Sequence, residues 1–189
     1  MIAHPRATAD GLLIIRRLRE ATHLPISILL SPGVLEIDDI SRFREAGAQI
    51  AGVAIDCATK TLFELHRGSV EPASCRSNRL EACSTHCWTH YWKVLEAAVE
   101  AFGFGRVGCH LICGLGETDQ EILETIQRVK ELGGRTHLFS FYPEQGSALQ
   151  NQKPCPASHY RRVQLARYLI DNERSRVAAM EFDESGRAR

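Results

Sequence analysis

Apolar residues fall along this chain in two alternating kinds of run. Short, nearly unbroken ones at residues 26–30 (ISILL), 50–56 (IAGVAID), 107–113 (VGCHLIC) and 136–142 (THLFSFY) have the look of strands buried on both faces. Between them lie stretches whose apolar positions recur every three or four residues, as on one face of a helix. Leu12, Leu13, Ile15 and Leu18 form the first such face, with Thr8 or Asp10 as the expected cap and Pro25 forcing the chain out of it. Ile37, Ile40 and Phe43 form the second, closed by Gly47. Leu62, Phe63 and His66 mark a short helix over residues 59–67. Trp88, Tyr91, Trp92, Leu95, Ala98, Val99 and Phe102 predict a longer one, stopped by Gly103. Thr118 with Glu121 has the spacing of a capping box ahead of Ile122, Leu123, Ile126, Val129 and Leu132. Ser158 is expected to cap a last helix that turns Val163, Ala166, Leu169 and Ile170 inward, and residues 177–182 read as a further short strand. Residues 69–85 carry turn formers without a sustained period and read as a loop or insertion.

Strands separated by helices, four times over, predict an α/β fold: parallel strands with right-handed crossover helices in a single domain, residues 1–189. Four units do not close a barrel of eight, and the chain opens on a helix. The expectation is a partial (β/α) barrel that begins after the first one or two strands of its fold.

Composition narrows the function. A chain of 189 residues with 44% hydrophobic content can bury one core without staples. Its 23 lysines and arginines balance 23 aspartates and glutamates, which argues against nucleic acid or an anionic membrane surface as partner. No apolar run approaches the ~20 residues of a membrane span, and the N-terminus has no apolar signal core, so a cytoplasmic address is expected. Seven cysteines, an odd and scattered set, read as reduced thiols.

The chemistry concentrates at strand ends. The run ICGLGE carries Ile112, Gly114, Leu115, Gly116 and Glu117 out of the third strand, and Asp56 closes the second. A glycine pair lets backbone approach a flat ring closely, and a carboxylate at a strand tip is a two-acceptor clamp for a diol. The plainer alternatives are that the glycines turn the chain, Glu117 favours a helix N-terminus, and Asp56 caps the next helix.

Taken in order, these segments resemble the radical S-adenosylmethionine (SAM) enzymes of the biotin synthase and lipoyl synthase branch. ICGLGET is similar to the family's fifth-strand motif, AIDCAT to its fourth strand and FSFYPEQGS to its sixth, a likeness running from about residue 5 to 173. The resemblance implies the α/β partial barrel of a radical SAM core. It also implies that Ile112, Gly114, Leu115, Gly116 and Glu117 lie against the adenine, that Asp56 bonds the ribose hydroxyls, and that Tyr142 contributes at the sixth strand's end. His86 is placed near the cofactor's carboxylate. The implied cofactors are SAM and a 4Fe-4S cluster. The implied activity is formation of a 5′-deoxyadenosyl radical for C–H activation, as in transferase- or sulfurtransferase-like sulfur insertion. The substrate would be a small molecule or carrier-protein-bound, and the reductant a ferredoxin or flavodoxin.

One departure weighs against activity. The family holds its cluster with CxxxCxxC after the first strand, and no such motif stands in this sequence, so the cluster's ligands are not in this chain. The isolated chain is therefore expected to be inactive, which keeps open a non-catalytic remnant or partner subunit, or a barrel enzyme binding phosphate at the glycine turn. Cys83, Cys87 and His90 approach a metal-ligand spacing near Cys75, yet Trp88, Tyr91 and Trp92 start a helix there, so packing is the simpler reading. His110 and His137 sit on strands as core residues or barrel-lumen groups, and Cys109 and Cys113 read as small core residues. The Arg161–Arg162 pair reads as a solvated helix face, and Glu144 as a second contributor beside Tyr142.

Overall fold

A computed structural model describes residues 6–67 and 88–189. The first helix, α1 (Ala7–Ala21), leads into strand β1 (Ser27–Leu30), a 3₁₀ turn at Pro32–Val34 and helix α2 (Asp39–Glu45). Strand β2 (Ile50–Asp56) is followed by α3 (Lys60–Arg67), and α4 (Trp88–Phe102) leads into strand β3 (Val107–Cys113). Helix α5 (Asp119–Glu131), strand β4 (Arg135–Ser140) and helix α6 (Ala157–Asp171) complete the order. The four strands form one sheet in chain order, parallel throughout. No helix of the described residues is long and apolar enough to cross a membrane.

The pleat explains why the strands read as apolar. Leu30, Val53, Ile55, Cys109, Leu111 and Cys113 turn to the helices and are buried, with α4 packed on β2 and β3 and α5 on β4 and α6. The opposite face is open: Leu29 and Phe139 are about half exposed, and His110 pairs in register with His137. Gly108 keeps that face low, because a Cβ there would fall 2.5 Å from the His137 ring. The His110 ring lies 5.5 Å from that of His137 and 5.2 Å from that of Phe139, edge-on to both.

Several local expectations are corrected. Helix α1 starts on Arg6 with no side-chain cap, and Thr8 and Asp10 lie inside its first turn, where Asp10 still favours the positive end of the helix. Pro156 occupies the N-cap of α6, its ring presetting the entry angle, so Ser158 is helical and caps nothing. Strand β4 stops at Ser140, two residues early, because β3 ends at Cys113 and Gly114 turns away, leaving Tyr142 without a ladder partner. Residues 177–182 are no strand: they form a 3₁₀ turn at Val177–Ala179 and a lone antiparallel bridge from Phe182 to Ala188.

Candidate functional site

A parallel sheet brings the C-terminal ends of all its strands to one edge, and the candidate residues gather there. At the end of β2 a register shift between Ala54 and Asp56 ends regular pairing, and Asp56 takes a left-handed backbone (φ 66°). Aspartate tolerates that conformation better than most residues. The bulge aims the Asp56 carboxylate at Arg67 on α3, and Oδ2 accepts from Nη2. Arg67 is steadied in turn by the Tyr91 hydroxyl at 3.1 Å and lies 5.4 Å from the centre of the Tyr91 ring. Among the described residues only Arg67 bonds this carboxylate, whose side chain is about one-fifth exposed.

The end of β3 is a self-locked turn. Gly114 (φ 103°) and Gly116 (φ 121°) reverse the chain, and Glu117 folds its fully buried carboxylate back beneath it. Its oxygens accept the N–H of Gly114 at 2.6 Å and of Leu115 at 2.9 Å. The Leu115 carbonyl meets Nε2 of His66 at 3.1 Å. Thr118 and Glu121 then form the expected capping box at the start of α5.

Behind the turn runs a buried charged network. His159, from the first turns of α6, lies between Glu117, 3.2 Å from Nε2, and Asp119, which bonds Nδ1. Asp119 also takes a hydrogen bond from Nε of Arg162 at 2.6 Å and from the Ala188 N–H at 2.9 Å, so the C-terminal tail is tied to the site. Burial alone would raise the Glu117 carboxyl, but His159 and the turn N–H groups outweigh it and hold it below the ordinary range. Asp119 is likewise held low against burial by Arg162, Ala188 and His159. His159 is pushed up, by Glu117 first and Asp119 next, against the opposing effect of burial.

Cys155 packs directly on the turn. Its Sγ lies 3.7 Å from Sγ of Cys113, and a Cβ placed on Gly114 would fall 2.5 Å from the Cys155 Cβ. The space that Gly114 leaves on that side is filled from within the chain. Two backbone bonds hold this arrangement: Phe141 N–H donates to the Cys113 carbonyl at 2.8 Å, and Cys155 N–H donates to the Phe141 carbonyl at 3.0 Å.

Of the residues singled out in the sequence, Asp56 and Gly114, Leu115, Gly116 and Glu117 come together at the ends of adjacent strands, with Ile112 half-buried just inside. Leu115 is buried, and Tyr142 stands 76% exposed beyond the end of β4. His86, Cys75, Cys83 and Cys87 lie outside the described residues, and Nε2 of His90 meets the carbonyls of Pro32 (3.0 Å) and Leu35 (3.1 Å). Arg162 is no solvated bystander but the partner of Asp119. Sequence reasoning passed over Cys155, His159 and Asp119, although CPASH, residues 155–159, sets a cysteine and a histidine four apart at a helix start.

No family profile and no curated protein matches the chain. Among solved structures it is similar to coproporphyrinogen III oxidase from Escherichia coli, described as a radical SAM enzyme, with a TM-score of 0.58 at 20% identity. The match covers 86% of this chain and 36% of that one, so the chain spans about a third of the length of its structural relative. At this identity the likeness is one of fold: parallel strands with crossover helices, as in the radical SAM fold.

Proposed function

We propose that the chain is part of a radical SAM enzyme core, of the biotin synthase and lipoyl synthase kind, and that it contributes the nucleoside side of the cofactor site. The observation that carries this reading is the gathering of Asp56 and the Gly114-Leu115-Gly116-Glu117 turn at neighbouring C-terminal strand ends, in the order of the motifs that carry the sequence resemblance. The radical SAM fold of the structural relative supports it.

The residues fit a nucleoside. The Asp56 carboxylate, oriented by Arg67 through one oxygen, retains acceptor capacity for ribose hydroxyls. The Glu117 carboxylate holds the turn rigid rather than reaching out, so an adenine would meet backbone and the apolar edge of Ile112. When bound, SAM supplies the hard chemistry, reductive cleavage to a 5′-deoxyadenosyl radical, and the protein binds and shields it. Sulfur insertion into a small or carrier-bound substrate, with electrons from a ferredoxin or flavodoxin, belongs to this reading.

The described cysteines do not fit the three-thiolate cluster. Only Cys113 and Cys155 bring sulfurs together, while Cys57 and Cys109 are buried apart. Beside the first stands a second reading, a partner subunit that completes a site without housing its cluster. The test is ¹⁵N-resolved NMR titration with 5′-deoxyadenosine. Amide shifts confined to Asp56 and residues 112–117 are expected, and shifts elsewhere or none at millimolar ligand would overturn the nucleoside site. In a subsequent anaerobic assay of the iron- and sulfide-treated chain no 5′-deoxyadenosine is expected from SAM, and its formation would overturn the partner reading.

A further inference from the structure

We propose that Cys113, Cys155 and His159 form a zinc site of two thiolates and one imidazole, seated behind the glycine turn of the nucleoside rim. Their ligand atoms all lie within 4.8 Å of one another, the one grouping of three such ligands among the described residues. Zinc takes thiolates at about 2.3 Å in tetrahedral geometry, which sets two sulfurs roughly 3.7–3.8 Å apart. Sγ of Cys113 and Sγ of Cys155 already stand at 3.7 Å.

The ligands come from three separate elements, and each is held for a reason unrelated to sulfur. Cys113 ends β3, Cys155 is fixed beside it through Phe141, and His159 enters from α6. Gly114 permits the approach, since any Cβ there would displace Cys155. The imidazole is oriented as metal-bound histidines are: Nδ1 bonds the Asp119 carboxylate, itself anchored by Arg162, which leaves Nε2 for the metal. Nε2 now faces Oε1 of Glu117 at 3.2 Å, and zinc on Nε2 would take the place of that hydrogen bond. A cleft of about 390 Å³ lined by Gly114, Glu117, Pro156, His159 and Arg162 lies on the His159 side of the cluster, and water would complete the tetrahedral set. Zinc so placed would tie the end of β3, the loop after β4 and the first turn of α6 into one unit, and its binding must release the thiol protons.

The test uses the 189-residue chain, reduced, with Cys75, Cys83 and Cys87 changed to serine so that no other thiol cluster competes. Equilibrium dialysis against zinc is expected to give one ion per chain. Cobalt substituted for zinc is expected to show a near-ultraviolet thiolate-to-metal charge-transfer band of two-sulfur intensity, a readout that needs no further variant. Cys113→Ser and Cys155→Ser should each weaken zinc by at least ~100-fold and halve that band, and Asp119→Asn should weaken it about 10–100-fold by freeing the ring. Full zinc affinity in Cys155→Ser, with its circular dichroism unchanged, would overturn the proposal. So would a cobalt spectrum without thiolate character, a chain binding no zinc, or preferential assembly of iron and sulfide on these residues.

Discussion

Nε2 of His159 lies 3.2 Å from Oε1 of Glu117, and that oxygen also receives the Gly114 N–H at 2.6 Å. A side chain from α6 thereby reaches the β3 turn through a single carboxylate atom. Glu117 is better understood as the internal brace of the turn than as a contact offered to a ligand, and its removal would strand buried donors. Glu117→Ala should therefore cost about 3 kcal/mol or more, the penalty for uncovering buried N–H groups and one partner of a buried charged pair. Urea unfolding decides this, and a loss under about 1 kcal/mol would show that the brace is dispensable.

The same network sets a pH window for the metal-free chain, measured in EDTA. Glu117 and Asp119 are held below their ordinary values, so their contribution is present above a pH of about 4 and is lost as pH falls through the depressed folded values. His159 is held above its ordinary value, so its contribution is full below about 6.5 and is lost as pH rises through the raised folded value. The two overlap between about pH 4 and 6.5. The difference in Tm between the native chain and His159→Gln should peak in that interval and shrink on the alkaline side. A difference that grows from pH 7 to 9 would contradict the assigned sign.

Asp56 is the residue of the proposed nucleoside rim whose loss is simplest to read. In a form of the protein that binds SAM, Asp56→Ala should weaken binding roughly tenfold to hundredfold, the loss of a charge-assisted bond worth about 1.5–3 kcal/mol. Arg67→Ala keeps the carboxylate but removes its orientation, so it should have a smaller effect in the same direction. Calorimetric titration of both variants checks this; an unchanged affinity in Asp56→Ala would remove it from the rim.

How much of this was readable beforehand depended on the range of the interaction. The strands, their order and the Thr118–Glu121 box follow from local apolar runs and a three-residue spacing, which is why they could be drawn from the sequence. Termination was harder: β4 ends where its neighbour β3 ends, a fact held by another strand and not by the residues of β4. The site was legible in part for the same reason. Gly114, Gly116 and Glu117 announce a turn, but Glu117 is also tied to His159, 42 positions later, and Asp119 is completed by Ala188 from the tail. Cys155 looked like one scattered thiol because Cys113, its neighbour in space, is 42 residues away.

Gly114 and Cys155 form the sharpest test of that long-range packing. Alanine at 114 would have to adopt φ near 103°, strained for any residue with a side chain, and would drive its Cβ to 2.5 Å from that of Cys155. These are two separable penalties. The backbone part, about 1–2 kcal/mol, persists whatever stands at 155, whereas most of the overpacking part, of about 1–3 kcal/mol, comes from the Cys155 side chain, its Cα remaining 3.0 Å away. Cys155→Gly alone should be mildly destabilising, through lost contact with Cys113. Combined with Gly114→Ala it should recover the steric part, so the double variant should be more stable than the sum of the single changes by about 1 kcal/mol or more. A double-mutant cycle by chemical unfolding measures this coupling directly. Additivity within about 0.3–0.5 kcal/mol would mean that Cys155 does not rest on Gly114, and the close placement of the two sulfurs would lose its support.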